Sequence, residues 1–106
     1  MWMVVAPVLA SVLLASAPEE IDGEVVLSVP GLCEAFVVHT DRGFSLLTWT
    51  GGYYVFTEGD RLRGCLHCDG IQHVRAGAEA VTVRVEDWAS NLDGVRRKFY
   101  RLCAPD

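Results

Sequence analysis

The segment Cys65-Leu66-His67-Cys68 is the short stretch of this sequence whose residue types and spacing could support chemistry. Two thiols separated by two residues can form a disulfide, act as a redox pair or supply part of a zinc site. Positive charge favours the reactive thiolate form, and Arg61, Arg63 and His67 are close in sequence. Redox pairs of this spacing usually begin a helix in a βαβ setting, whereas this segment is predicted to be a strand and a turn.

A metal site is the third interpretation of the same segment. Cys65 and Cys68 have zinc-type spacing, and Cys33 with Cys103 could complete a four-sulfur site. The sequence lacks a second C-x-x-C pair, and the direct adjacency of His67 to Cys68 makes it difficult for both to bind one ion. Haem attachment is excluded because an aspartate follows Cys68 where histidine is required. No metal ligand and no cofactor is therefore assigned.

The start of the chain indicates the compartment. Trp2 to Ala17 is uncharged and apolar, and Ala15-Ser16-Ala17 fits the small-x-small pattern of signal-peptide cleavage. No basic residue precedes this run and Pro18 would follow the cut, so an uncleaved anchor is the alternative. We predict a signal peptide over residues 1–17, an acidic linker over 18–23 and a single small β domain over 24–106.

An exported chain meets an oxidising environment, which favours disulfides at all four cysteines: Cys33, Cys65, Cys68 and Cys103. Three connectivities are possible. In the chain-entropy model, a Cys33–Cys103 bridge would stabilise the domain by roughly 4 kcal/mol and a Cys65–Cys68 bridge by about 2 kcal/mol. In the pairing of Cys33 with Cys65 and Cys68 with Cys103, each bridge would contribute a little under about 4 kcal/mol. Cys65 alternates with arginines on the face opposite two leucines, which favours a partner on a neighbouring loop or terminus.

Aromatic side chains cluster around Gly51-Gly52 and form the candidate binding surface. Aromatics beside a flexible loop can stack against a sugar, a peptide or a base. Small β domains more commonly use such residues structurally, with alternate members filling the barrel and the others capping its end, and this interpretation is favoured. The four residues are Trp49, Tyr53, Tyr54 and Phe56.

Other polar residues point to no reaction. His39 is predicted to be half-buried beside Ala35 and Val37 with a hydrogen-bond partner, and His73 to face outward. The nucleophile elbow G-x-S-x-G is absent. No catalytic residue is assigned, and a binding role is favoured over an enzymatic one.

Short β-branched and aromatic runs separated by glycine turns position these residues and indicate an all-β domain. We predict a small barrel of five to seven strands, SH3-like or OB-like, with a two-sheet sandwich as the alternative. The ending 95–103 fits a last strand, although Val95, Phe99 and Leu102 also share one helical face. The predicted strands are Glu24–Val29 (with Val25, Leu27 and Val29 on one face), Ala35–Thr40, Phe44–Trp49, Arg61–Leu66, Ile71–Arg75 and Ala80–Trp88.

A spaced pattern of turn and strand residues runs from Phe44 to Trp88. It consists of Gly51-Gly52, then Glu58-Gly59-Asp60 followed by Leu62 and Gly64, then Gly70, then Val85-Glu86-Asp87-Trp88. This pattern resembles a group of small secreted bacterial β-barrel-like proteins without an assigned function. The resemblance implies a fold and a compartment and transfers no active site. The four cysteines depart from it.

Charge bears on the choice of partner. The formal net charge of −5 argues against a nucleic-acid backbone as the main partner. Basic residues nevertheless cluster over 96–101, where an anionic ligand is one interpretation and a solvated face the other. We predict an extracytoplasmic binding or structural module of the cell envelope, periplasmic or secreted, whose partner is a protein or an envelope component. Contact with a membrane would come only through an uncleaved leader. The alternative function is a thiol–disulfide redox protein using Cys65 and Cys68.

Overall fold

A computed structural model describes residues 20–54 and 57–104 of the 106-residue chain. The leader predicted over 1–17 and one member of the aromatic cluster, Phe56, lie outside the described residues. The described part contains six strands and a helix. They are β1 (Ile21–Ser28), β2 (Ala35–Thr40), β3 (Gly43–Gly52), β4 (Arg61–Gly64), β5 (Gly70–Ala76), β6 (Glu79–Ala89) and α1 (Asp93–Cys103).

The six strands form one closed antiparallel barrel in the order β1-β2-β3-β6-β5-β4. Two three-stranded meanders, β1 to β3 and β4 to β6, join through the β3–β6 and β1–β4 pairings. Every strand therefore has two neighbours, which leaves no open sheet edge in the barrel. This confirms the predicted small all-β barrel stapled by disulfides.

The barrel interior is filled mainly by aliphatic side chains. On β6, Val81, Val83 and Val85 are buried while Thr82 and Arg84 between them are more exposed, as the alternation predicted. Phe36 on β2 is fully buried and is the one aromatic ring among the fully buried residues of this cluster. The described interior also includes Ile21, Val25, Val38, Leu47, Leu62, Leu66 and Val74.

β1 differs from its prediction in two respects. It begins three residues earlier, at Ile21, whose side chain is buried. The register against β2 shifts between Val25 and Leu27, so that Val25 lies inside the barrel while Leu27 and Val29 pack against the cluster on its outer surface. The prediction that these three residues share one face is wrong, because a bulge adds a residue to the alternation.

The C-terminal segment is a helix, so the predicted last strand over 95–103 is wrong. Val95 and Phe99, one helical turn apart, are completely buried against Ala35 and Val37 on the outer face of β2. β2 is apolar on both faces, and the barrel can cover only one of them. A strand would bury every second residue, whereas α1 presents a stripe of the required spacing.

Two disulfides account for all four cysteines: Cys33–Cys103 and Cys65–Cys68. They indicate an oxidising, extracytoplasmic environment. The expectation that Cys65 pairs with a neighbouring loop or terminus is wrong. β4 ends at Gly64, so the alternation stops there, and Cys65 turns inward to 8% exposure.

Strand directions place the loops at two ends of the barrel. The aromatic end contains residues 29–34, the chain that follows β3 and the β5–β6 turn, and the Tyr54 hydroxyl reaches Gly31 across it. The cysteine end contains the β2–β3 turn and the Cys65–Cys68 turn, and Arg42 reaches His67 across it. The two candidate sites of the sequence therefore lie at opposite ends of one rigid scaffold.

Candidate functional site

Trp49 links the barrel core to the aromatic end. Its ring is partly buried and packs against the interior cluster, and its backbone N–H donates to the carbonyl of Glu34 at 2.9 Å. The indole Nε1–H donates to the carbonyl of Tyr53 at 3.1 Å. The ring also meets that of Tyr54 edge-on, with centroids 5.4 Å apart and planes at 72°. One side chain thus orders the start of the following loop.

Tyr53 and Tyr54 lie on the surface rather than inside the barrel. They are 51% and 47% exposed. Their backbone and side chains are nevertheless held: the Tyr53 N–H donates to the carbonyl of Ala80 at 2.9 Å, and the Tyr54 hydroxyl accepts from the Gly31 N–H at 3.4 Å. The interpretation in which some aromatics fill the barrel and the others cap its end agrees with Trp49, which packs against the interior, and with Tyr54, which reaches Gly31 across the barrel end.

Gly52 permits this arrangement where β3 ends. Its φ is +80°, a conformation that L side chains rarely adopt, and a Cβ added there would lie 2.5 Å from the Ala80 carbonyl oxygen. The same oxygen accepts the Tyr53 N–H. Gly51 has open space around its Cβ position. The two adjacent glycines therefore have different roles, and only Gly52 is required for the close approach to β6.

A shallow hollow of about 290 Å³ opens beside Tyr53 and adds polar groups to the aromatic surface. Asp60 and Arg61 line it together with the β5–β6 turn. The Asp60 carboxylate accepts the Thr57 N–H at 3.2 Å, and the Arg61 guanidinium lies 3.7 Å from the Glu24 carboxylate. An aromatic face beside one anion and one cation can stack against a ligand and hydrogen-bond to it. We call Trp49, Tyr53 and Tyr54 with this hollow the aromatic platform.

The cysteine end brings together residues from two turns. The Cys65–Cys68 turn is closed by its disulfide and by the Cys68 N–H, which donates to the Cys65 carbonyl at 3.3 Å. Arg42, in the β2–β3 turn, lies with Nη1 2.9 Å from Nε2 of the half-buried His67. A guanidinium only donates, so Nε2 accepts and the neutral ring carries its proton on Nδ1. The Nδ1 atom is buried.

The two sulfurs and a ring nitrogen of His67 lie within 4.8 Å of one another. The sequence interpretation that His67 and Cys68 are too close along the chain to share an ion does not anticipate this convergence. A tight turn, unlike a strand, can direct neighbouring side chains to one side. With the disulfide closed, the sulfurs are bonded to each other and hold no metal ion.

The other two histidines are surface residues. His39 shares the outer face of Ala35 and Val37, as predicted, but it is exposed and its ring stacks on Phe44 at 4.6 Å. The prediction of half-burial is wrong because α1 covers only the part of β2 that precedes His39. His73 is exposed, as predicted, with Nδ1 3.2 Å from the Thr82 hydroxyl.

Two further surfaces involve the helix α1. On α1, Arg96 pairs with Asp93, so one residue of the predicted basic cluster is already neutralised. A groove of about 650 Å³ runs beside the Cys33–Cys103 bridge and is lined in part by Leu32 and Leu102, which are 84% and 49% exposed. Sequence reasoning missed this groove, because only the helical form of the C-terminal segment places residues 32 and 102 together.

Comparisons with protein-family models, with curated proteins and with solved structures find no match. The resemblance to small secreted bacterial barrel-like proteins therefore stays a prediction. Among residues 20–54 and 57–104, no helix combines the length and the apolar character that a bilayer crossing requires.

Proposed function

We propose that this protein is an extracytoplasmic binding module whose aromatic platform holds a protein or another component of the cell envelope. The observation that carries the proposal is that Tyr53 and Tyr54 are half exposed, while Trp49 holds the Tyr53 backbone and the Tyr54 ring. Aromatic side chains on a surface usually gain stability by burial, so these exposed rings on a held backbone are available to a partner.

Order before binding favours affinity. Association costs about 0.5–1.5 kcal/mol for each flexible side chain that a partner immobilises. The Tyr54 ring is held against the indole and its hydroxyl by Gly31, so the cost of immobilising that side chain is partly met on folding, and the Tyr53 backbone is held by Ala80 and Trp49. Tyrosine and tryptophan also dominate binding energy at protein interfaces. The platform thus has both the residue types and the rigidity of a contact surface.

The charges around the platform indicate the chemistry of the partner. Asp60 and Arg61 line the same hollow with opposite charge, and the whole chain has a net charge of −5. A polyanion such as nucleic acid would gain little from this mixture. A peptide segment or a glycan, which offers both donors and acceptors and has apolar faces, fits it better. In this proposal the predicted leader delivers the domain to the periplasm or the exterior.

The test compares binding by a variant of the platform with binding by a control variant on α1. Tyr53→Ala with Tyr54→Ala removes the exposed part of the platform, whereas Tyr100→Ala removes a ring of similar exposure (54%) on α1. In a pull-down from the envelope fraction, the double variant should lose the partner and the control should retain it. Retention of every partner by the double variant would refute the proposal.

The second candidate is a thiol–disulfide redox protein using Cys65 and Cys68. The observation that favours it is that these two cysteines are bonded to each other in one turn and that a ring nitrogen of His67, which contacts Arg42, lies within 4.8 Å of their sulfurs. Positive charge and a hydrogen-bond donor near sulfur stabilise a thiolate. The reduced pair would pass two electrons to a substrate disulfide through a mixed disulfide and become a disulfide again.

A reductase assay on a small protein disulfide separates the two candidates. If the redox candidate is correct, Cys65→Ser abolishes turnover while Tyr53→Ala leaves it unchanged. Turnover that persists in the Cys65→Ser chain would eliminate the redox candidate and leave the binding proposal intact.

A further inference from the structure

We propose that opening the Cys65–Cys68 disulfide creates a metal site for a zinc-class cation, with the two thiolates and the His67 imidazole as ligands. This inference goes beyond both candidate functions and requires only that the disulfide can be reduced. The observation behind it is the convergence of three soft or borderline donor atoms within 4.8 Å at one end of the barrel.

The geometry requires small movements. Tetrahedral zinc, with its usual bond lengths, separates two sulfurs by about 3.8 Å and a sulfur from a nitrogen by about 3.6 Å. The three donor atoms already lie within 4.8 Å of one another, so the nitrogen has at most roughly 1 Å to move to reach the distance that zinc requires. The sulfurs must move apart to their zinc-bound separation once the bond between them is broken. Cys65 is anchored by burial, while Cys68 and His67 are half-buried in the turn and can adjust.

Reduction prepares the ligands. An external dithiol attacks the disulfide, the bond between the Cys65 and Cys68 sulfurs breaks, and the dithiol becomes a disulfide as it gives up two electrons and two protons. Each cysteine sulfur receives one of those protons. Metal binding then releases both protons to solvent, since only thiolates coordinate. The oxidation state of one turn thereby controls whether the site exists.

Arg42 competes with the metal for His67. In the disulfide form the guanidinium occupies the Nε2 lone pair and leaves the ring proton on Nδ1. If the metal binds Nδ1, the ring proton moves to Nε2, and the resulting Nε2–H would face the N–H donors of Arg42. If the metal binds Nε2, it displaces the guanidinium directly. Either route breaks the contact between Arg42 and His67. Substitution of Arg42 should therefore strengthen metal binding. If Arg42 only supported the structure of the turn, its substitution would weaken metal binding instead.

The donor set selects the cation. Two thiolates and one imidazole suit zinc, which is bound by three protein ligands and a water molecule in many sites. Calcium and magnesium prefer oxygen ligands, and the cluster offers none. The fourth position would face solvent, because His67 and Cys68 are only half-buried.

The experiment titrates the full chain with cobalt(II), a zinc substitute whose thiolate complexes absorb strongly in the near ultraviolet, and then displaces it with zinc(II). The phosphine reductant is titrated until alkylation mapping finds Cys65 and Cys68 modified while Cys33 and Cys103 remain bonded. The matched control is the Cys65→Ser, Cys68→Ser chain under the same treatment. His67→Ala and Arg42→Ala test the third ligand and the competitor.

The reduced chain should bind about 100-fold or more tightly than the oxidised chain and the double-serine control. His67→Ala should weaken binding by about 10-fold or more, and Arg42→Ala should make it tighter. Three results would overturn the proposal: no thiolate–cobalt band in the reduced chain, the same band in the double-serine control, or unchanged affinity in His67→Ala. Equal or weaker binding by Arg42→Ala would overturn the competition between Arg42 and the metal.

Discussion

Removing the Cys33–Cys103 bridge should destabilise the domain far more than removing the Cys65–Cys68 bridge. The first closes a separation of 70 residues and the second a separation of 3. Because a disulfide acts mainly by restricting the unfolded chain, the first should contribute about 4.4 kcal/mol and the second about 1.6 kcal/mol. Loss of packing at the substituted cysteines adds about 1 kcal/mol to each pair and leaves the difference near ~2.8 kcal/mol.

The assays are urea and thermal unfolding of the Cys33→Ala, Cys103→Ala chain and the Cys65→Ala, Cys68→Ala chain, both followed by far-ultraviolet circular dichroism. For a domain of this size, the chain-entropy difference corresponds to a melting temperature lower by roughly 11 to 22 °C in the first variant than in the second. A first variant that is unfolded without urea also meets the expectation. Equal stabilities, or a less stable second variant, would show that loop length does not set the contribution of each bridge and would make Cys65–Cys68 a structural staple.

Further substitutions test the packing that positions the aromatic platform. Gly52→Ala should lower the free energy of unfolding in urea by about 2–4 kcal/mol, because it combines a positive φ with a clash at the Ala80 carbonyl oxygen. Gly51→Ala should change the free energy of unfolding by no more than about 0.5 kcal/mol, and equal effects would contradict the close approach of Gly52 to β6. Phe99→Ala should lower the free energy of unfolding by about 3–5 kcal/mol, and Tyr100→Ala should lower it by less than about 1 kcal/mol. A small effect of Phe99→Ala would mean that α1 does not pack on the barrel. Arg63→Ala should cost less than about 1 kcal/mol despite ion pairs to two carboxylates, since all three groups are exposed; a loss of several kcal/mol would show that this surface network is stronger than exposure allows.

The barrel could be predicted because local alternation and glycine turns agree with the tertiary structure along most strands. β6 shows this most clearly, with Val81, Val83 and Val85 buried in turn. Alternation failed on β1, where a bulge after Val25 transfers Leu27 to the other face. A bulge is set by pairing with a neighbouring strand, and a single strand's sequence does not contain that information.

The helix α1 was missed for a related reason. The stripe of Val95 and Phe99 was visible in the sequence, but an alternating pattern of Phe99 and Cys103 competed with it. The decision depends on β2, whose outer face needs a cover once the barrel is closed. That requirement is a property of the assembled fold and could be recognised only from the two apolar faces of residues 35–38.

The sequence identifies the residues of the candidate sites but not their positions relative to one another. Trp49, Tyr53 and Tyr54 were singled out as a cluster, yet their division between a buried anchor and an exposed pair depends on β3 continuing through both glycines. The approach of Arg42 to His67 joins two turns 25 residues apart in sequence. Long-range contacts of this kind follow from barrel closure, which composition and spacing do not specify.

Contact between the aromatic platform and a partner can be detected by site-specific photo-crosslinking in cells that produce the full chain. A photoreactive phenylalanine analogue replaces Tyr53 in one chain and Tyr100 in another; the two tyrosines are similarly exposed on different faces. We expect a discrete crosslinked species from position 53, lost when Trp49→Ala removes the anchor, and no such species from position 100. Crosslinking from position 100 alone, or from neither position, would contradict it.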